Sequence, residues 1–189
     1  MNADSPYQTF DDLLNAAKAN PGSVNMAHSG NWGALFTPAA QIMKETGAVF
    51  NLVPYQGGGP AMQALLAGDA DVSMGFPSAI GALLEAGKLR VLASAGPERI
   101  YDDVPTFSEA GITGDIGFMH RVVMAPAGIP DDAKAKLEAA FSALQEDRSY
   151  QRLMGRLGEN TDLILGEEYQ ALRVEQGVAY KDLVDSLTQ

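Results

Sequence analysis

Three times in its first half this chain repeats one pattern. A short apolar run meets a glycine- or serine-rich turn, and a segment of helical periodicity follows at once. The turns are His28-Ser29-Gly30-Asn31-Trp32-Gly33, Pro54-Tyr55-Gln56-Gly57-Gly58-Gly59-Pro60 and Met74-Gly75-Phe76-Pro77-Ser78. Strands that alternate with helices predict an α/β fold, a mostly parallel sheet flanked by helices on both faces. The crossovers are expected to be right-handed. Each turn is expected to present free backbone N–H groups at a helix N-terminus, where partial positive charge favours anions. Three such turns at one sheet edge read as a pocket for a small anionic ligand.

The remaining elements follow from periodicity and from stop signals. Thr9 and Asp12 form a capping-box pattern, and that helix runs to 19, where Asn20-Pro21-Gly22 ends it. Further helices are expected at 33–46, 60–68, 78–86, 107–110, 131–146, 149–157 and 167–186. Strands are expected at 23–27, 49–54, 71–74, 89–95, 116–125 and 163–165. Residues 96–114, with Pro97, Pro105, Gly111 and Gly114, read as surface connection. The second half carries more helix than sheet.

Composition narrows the function. Of 189 residues 46% are hydrophobic, enough for a buried core, and the length suits one large or two small domains. The net charge of −11 argues against nucleic acid and against an anionic membrane surface. There is no cysteine, which excludes disulfides, thiol nucleophiles and cysteine-type zinc sites. No apolar run approaches the roughly 18 residues a membrane span needs. Met1 to Asp4 carry neither a basic n-region nor an apolar h-region, so no export signal is expected within the chain.

The turns also exclude nucleotides. No Gly-Lys-Ser/Thr follows Gly57-Gly58-Gly59, and no Gly-x-Gly-x-x-Gly with a downstream acid occurs. No basic residue lies in any turn, so an anion would be held by N–H groups and hydroxyls. Ser29 to Gly33 forms either a carboxylate cradle or an ordinary tight turn. Trp32, a large aromatic on a glycine loop, is expected to pack a ligand or a partner. Tyr55 either points its hydroxyl into the pocket or packs the strand end. Arg121 stands in an apolar run, where a charge needs a reason. A ligand carboxylate or an internal Asp/Glu partner would supply one. His28 and His120 complete no Ser-His-Asp or metal-ligand set. Asp102-Asp103, Asp131-Asp132 and Glu167-Glu168 fall at turns and helix starts, where they serve capping and solubility. No cofactor and no enzymatic activity are expected.

Taken in order, several segments resemble one family. They are Ala17-Lys18-Ala19-Asn20-Pro21-Gly22, the Ser29-Gly30 turn, Val53 to Ala61, Leu65 to Val72, Ala86 to Ala93, Asp103 to Gly111 and Ala125 to Pro130. Together they resemble the solute receptors of tripartite tricarboxylate transporters, the Bug family. The resemblance implies a periplasmic-binding-protein-like fold of type II: two α/β lobes that close on a carboxylate or dicarboxylate and deliver it to membrane permease subunits. It implies a periplasmic location and no chemistry. It assigns ligand contacts to Ser29, Gly30, Asn31, Trp32, Gly33, Ala34, Tyr55, Gly57 and Gly58. It adds Gly75, Phe76 and Ser78 along the cleft, and it implies that the strand matching Phe118 to Val123 crosses back to the first lobe; Arg121 in that run stays a candidate contact on its charge alone. It also divides the chain into a second lobe, 6–116, and a return segment of the first lobe, 117–189. Most of that first lobe precedes the position of Tyr7 in relatives, so self-association or disorder of residues from Phe118 onward is expected. Many relatives carry Asp or Asn where this chain has Gly75-Phe76, which disfavours amine-bearing ligands and favours a more apolar or aromatic-tolerant site. The same two-lobed fold also serves as the ligand-sensing effector module of regulators and sensors, the alternative reading.

Overall fold

The computed structural model describes residues 1–96, 98–113 and 119–187, the side chain of Leu187 excepted. The chain divides into two compact units, Met1–Met119 and His120–Gln189. The expected lobe boundary at 116/117 lies outside the described residues, as do the first residues of the expected strand at 116–125.

In the first unit α1 (Phe10–Ala19) leads to β1 (Asn25–His28), α2 (Phe36–Thr46), β2 (Asn51–Pro54), α3 (Gly58–Ala67), β3 (Val72–Ser73) and α4 (Pro77–Glu85). The three strands form a parallel sheet in the order β2-β1-β3. The central strand is the most buried of them, with Met26, Ala27 and His28 fully buried. Neighbouring side chains on a strand point to opposite faces, and the packing follows that rule. Met26 joins a core with Phe10, Leu13, Leu14 and Ala17 of α1, Ala39 and Ile42 of α2, and Phe107 and Ile112. Ala27 faces the other way and packs with Ala61 of α3, Ala70 and Tyr55. Small residues there let α3 lie close on the sheet. Each large side chain fully buried in the first core contributes about 1.5–3 kcal/mol of transfer free energy.

The sheet is shorter than the sequence predicts. Among the described residues, 89–95 form only single bridges, Leu89 to Asn2 and Ser94 to Thr106. Their neighbours are not strands, so no ladder can propagate. Residues 107–110 make one turn rather than a helix, because the left-handed Gly111 (φ 80°) ends it.

In the second unit α5 (Asp131–Glu146), α6 (Arg148–Leu157) and α7 (Gly166–Leu187) carry the structure. The described part of the expected strand, 119–125, is not a strand, and neither is 163–165. A strand requires a hydrogen-bonded neighbour, and Val122, Val123 and Met124 are exposed. Among the described residues of this unit only Leu183 is a buried hydrophobic. No described helix is long and apolar enough to cross a membrane.

Candidate functional site

Because the sheet is parallel, the three turns leave it on one side. Register pairs His28 with Pro54 and Ala27 with Ser73, so the carboxyl ends of the strands lie abreast. The order β2-β1-β3 puts a topological switch point between β1 and β3, where successive connections depart in opposite directions. In open α/β sheets the crevice outside such a point is where ligands bind. The first two turns touch: a Cβ built on Gly30 would lie 3.8 Å from the Tyr55 carbonyl oxygen, and one on Gly58 3.7 Å from Leu35 Cδ1. The third approaches them through α3, since a Cβ on Gly75 would meet Met62 Cε at 3.4 Å and Ile80 Cγ2 at 3.1 Å. Gly30 (φ 110°) and Gly57 (φ 109°) hold backbone conformations that L side chains rarely adopt.

The donors on this edge can be counted amide by amide. In the first turn Gly33 N–H donates to the Gly30 carbonyl, and Phe36 and Thr37 donate to that of Gly33. The N–H groups of Ser29, Gly30, Asn31, Trp32 and Ala34 have no acceptor among the described residues. In the second, Gly57 N–H donates to Tyr55 and Pro60 has none, which leaves Gly58 and Gly59 at the start of α3. The third turn is poorer than expected. Pro77 lacks an N–H and Ala79 donates to the Phe76 carbonyl.

The helix starts on this edge differ from all others among the described residues. α2, α3 and α4 begin at Leu35, Gly57 and Phe76 with no side-chain cap and no acidic residue in the first turn. By contrast α1 has the Thr9–Asp12 capping box, α5 has Asp131 and Asp132, α6 is capped by Asp147, and α7 has Glu167 and Glu168. No charged residue at all occurs between Lys18 and Lys44, between Glu45 and Asp69, or between Asp71 and Glu85. In a chain of net charge −11, the three turns and the helix starts after them thus carry no competing carboxylate of their own. Its partial positive charge comes from backbone dipoles. This signal stood in the sequence as an absence, in the residues that do not cap.

His28 was not read as a site residue, yet it shapes the first turn. Its ring is fully buried, with Nδ1 3.1 Å from the Gly30 carbonyl oxygen. A carbonyl only accepts, so Nδ1 carries the proton, and Nε2 has no partner among the described residues. The ring packs against Phe36 (5.3 Å between centroids), and Phe36 against Trp32 (5.1 Å). Trp32 is the one described non-glycine residue at positive φ, 61°, and its side chain is 50% exposed. A bulky residue in that region costs about 1–3 kcal/mol, and an aromatic pair returns about 0.5–1.5. Tyr55 packs on the Ala27 cluster, Phe76 is half-buried and Ser78 exposed.

Arg121 lies in the second unit. Its guanidinium donates two hydrogen bonds to Glu159, at 2.9 and 3.1 Å, so an internal carboxylate accounts for it. Away from the turns, a cavity of about 840 Å³ is lined by Arg90, Tyr101, Asp102 and the C-terminal end of α4, the end opposite Phe76. Arg90 there donates to the Ala3 and Tyr7 carbonyls. Burial pushes the Tyr101 phenol upward. No cluster of His, Asp or Glu that could hold a metal occurs among the described residues.

With that geometry in place, residues 1–182 match the family described as "Tripartite tricarboxylate transporter family receptor". The chain belongs to this family. A curated relative from Cupriavidus necator, the "UPF0065 protein in gbd 5'region", is 28% identical over 187 residues, 98% of this chain and 57% of its own length. The chain therefore spans little more than half of that relative. The solved structure of a TctC solute binding protein from Polaromonas superposes with a TM-score of 0.78 at 27% identity, over 98% of this chain and 64% of that one. MatC from Rhodopseudomonas palustris, solved with bound malate, gives 0.66 at 25% identity over 83% and 54%. The fold is that of periplasmic-binding-protein-type receptors.

Proposed function

We propose that this chain is the ligand-binding part of an extracytoplasmic solute receptor that captures a small organic carboxylate through backbone amides. The observation that carries the reading is the contrast in helix starts. Three helix N-termini lie at the carboxyl edge with no acidic residue in their first turns, while every other described helix supplies its own acidic residue. A ligand carboxylate would complete α2 and α3 as Asp147 completes α6. Ser29, Gly30, Asn31, Trp32, Gly33 and Ala34 would surround one carboxylate oxygen set, with Gly57 and Gly58 beside them and Tyr55, Gly75, Phe76 and Ser78 along the wall. We read 6–116 as the binding lobe and 117–189 as the return segment.

Family membership and the malate bound to MatC support a carboxylate as cargo. They support delivery to permease subunits from the periplasm, without chemistry, and lend nothing to an effector-module reading. A thermal-shift titration of the protein with malate, adipate and benzoate against sodium chloride tests the proposal. A ligand at 100 times its Kd adds about 2.7 kcal/mol of stability, which at this chain length raises Tm by about 5–10 °C. If no organic acid shifts Tm beyond the chloride control, the reading fails.

A further inference from the structure

Trp32 is held where folding alone gives no reason to put it. Its backbone is left-handed at φ 61°, although Asn31 and Gly33, residues that tolerate such a conformation, stand on either side. The residue is half exposed, so about half of its large surface is left open. Yet it is firmly carried: it packs in a tilted contact on Phe36 at 5.1 Å and 60°, Phe36 packs on His28, and His28 is anchored through Nδ1 to the Gly30 carbonyl. Among the exposed large hydrophobics of the first unit, Val49 precedes β2, Leu66 lies near the C-terminal end of α3, Ile100 lines the other cavity and Met119 closes the unit. Of these five Trp32 is the one that belongs to the three turns, and the amides of its turn at Asn31, Trp32 and Ala34 have no acceptor among the described residues.

Resting on the carboxylate-receptor reading, we propose that Trp32 is the specificity-determining wall of the site. Its open face takes the flat body of an aryl carboxylate while the adjacent amides hold the carboxylate. A planar ring gains from an indole face what a puckered saturated ring of equal charge and similar size does not. The absence of any charge between Asp71 and Glu85, with Phe76 half-buried at the third turn, extends the apolar wall.

Benzoate and cyclohexanecarboxylate form the decisive pair of probes, with malate and adipate as controls for the underlying reading. Trp32 is the chain's one tryptophan, so its emission reports contact directly. The expected result is binding of benzoate about three- to tenfold tighter than cyclohexanecarboxylate, with benzoate changing Trp32 emission. In Trp32→Gly the two affinities converge, and in Trp32→Phe the preference survives. Glycine suits the positive φ, so this variant keeps an unliganded Tm at or above the parent's. Equal affinities in the parent, a preference that persists in Trp32→Gly, or a Tm rise with benzoate without an emission change would each overturn the proposal. If malate or adipate stabilises the protein and benzoate does not, the proposal falls and the receptor reading stands. If no acid stabilises it, the receptor reading falls first.

Discussion

The carboxyl edge of the sheet and the rest of the molecule solve one problem in opposite ways. Every helix start leaves amides without intrahelical partners. Away from the edge the chain supplies its own acceptors: Asp147 takes the amides of Ser149 and Tyr150, both at 2.8 Å, and Asp12 with Thr9 closes a reciprocal box. At the edge it places Leu35, Gly57 and Phe76, which accept nothing through their side chains. Under the proposed function, stability is forgone where a ligand is to be received. The strained Trp32 belongs to the same pattern, a local cost carried by a rigid strand end.

The sharpest way to break this comparison is to make one bare start resemble the others. Gly59 has open space where a Cβ would go and an ordinary φ. In Gly59→Glu a carboxylate sits in the first turn of α3. The helix dipole then adds about 0.3–1 kcal/mol, and loss of glycine's freedom adds about 0.5–1 kcal/mol. The unliganded Tm should rise, while affinity for any carboxylate falls at least about tenfold, roughly 1.4 kcal/mol. Thermal melts with and without malate, adipate and benzoate read both effects. A variant that is neither more stable nor a weaker binder would show that the bare starts are incidental.

Much of the edge was legible in the sequence, and what was not has physical causes. The runs ending at His28, Pro54 and Ser73 are short and apolar, and each meets a turn that only a strand-to-helix reversal explains. The same logic failed at 89–95 and 163–165, because an apolar run states that a segment wants burial, not that a strand lies beside it. Leu89 and Ser94 found single bridges and no ladder. Within the site, the glycines announced themselves. The buried ring of His28 under Gly30 did not, since a histidine at a strand end looks the same whether its ring is tucked under the turn or faces water. Arg121 was an open choice in sequence because bidentate partners come from anywhere in the chain, and Glu159 lies 38 residues away. The caps were visible all along, but a missing acid is harder to notice than a present one.

A smaller effect is expected on the capped side. Thr9→Ala removes the oxygen that accepts from Asp12 N–H at 3.1 Å. It should cost about 1 kcal/mol, a fall in Tm of about 2–4 °C at this length. Ligand-induced shifts should not change, because α1 starts far along the chain from the turns. A loss of ligand response in Thr9→Ala would blur the line between the two kinds of helix start.

The smallest effect is the most diagnostic in sign. Asp12 accepts from the amides of Thr9 (2.9 Å) and Gln8 (3.0 Å), and these bonds, those to Thr9 foremost, hold its carboxyl below its ordinary value of 3.8. A carboxyl whose pKa is lower in the folded than in the unfolded chain stabilises the fold when both forms are ionised, above 3.8. That contribution is lost as pH falls through the folded value. Asp12→Asn should therefore lower Tm at pH 7, with the deficit shrinking steadily below pH 3.8, since the parent then loses the same charge. At the bare starts of α2 and α3 no such group exists, and any acid-linked loss of ligand binding there should track the pKa of the ligand instead. Melts of parent and Asp12→Asn across pH 2–7, with and without a carboxylate of known pKa, separate the two titrations. A binding loss that followed the protein's own carboxyl rather than the ligand's would place an ionised side chain at an edge where the structure has none.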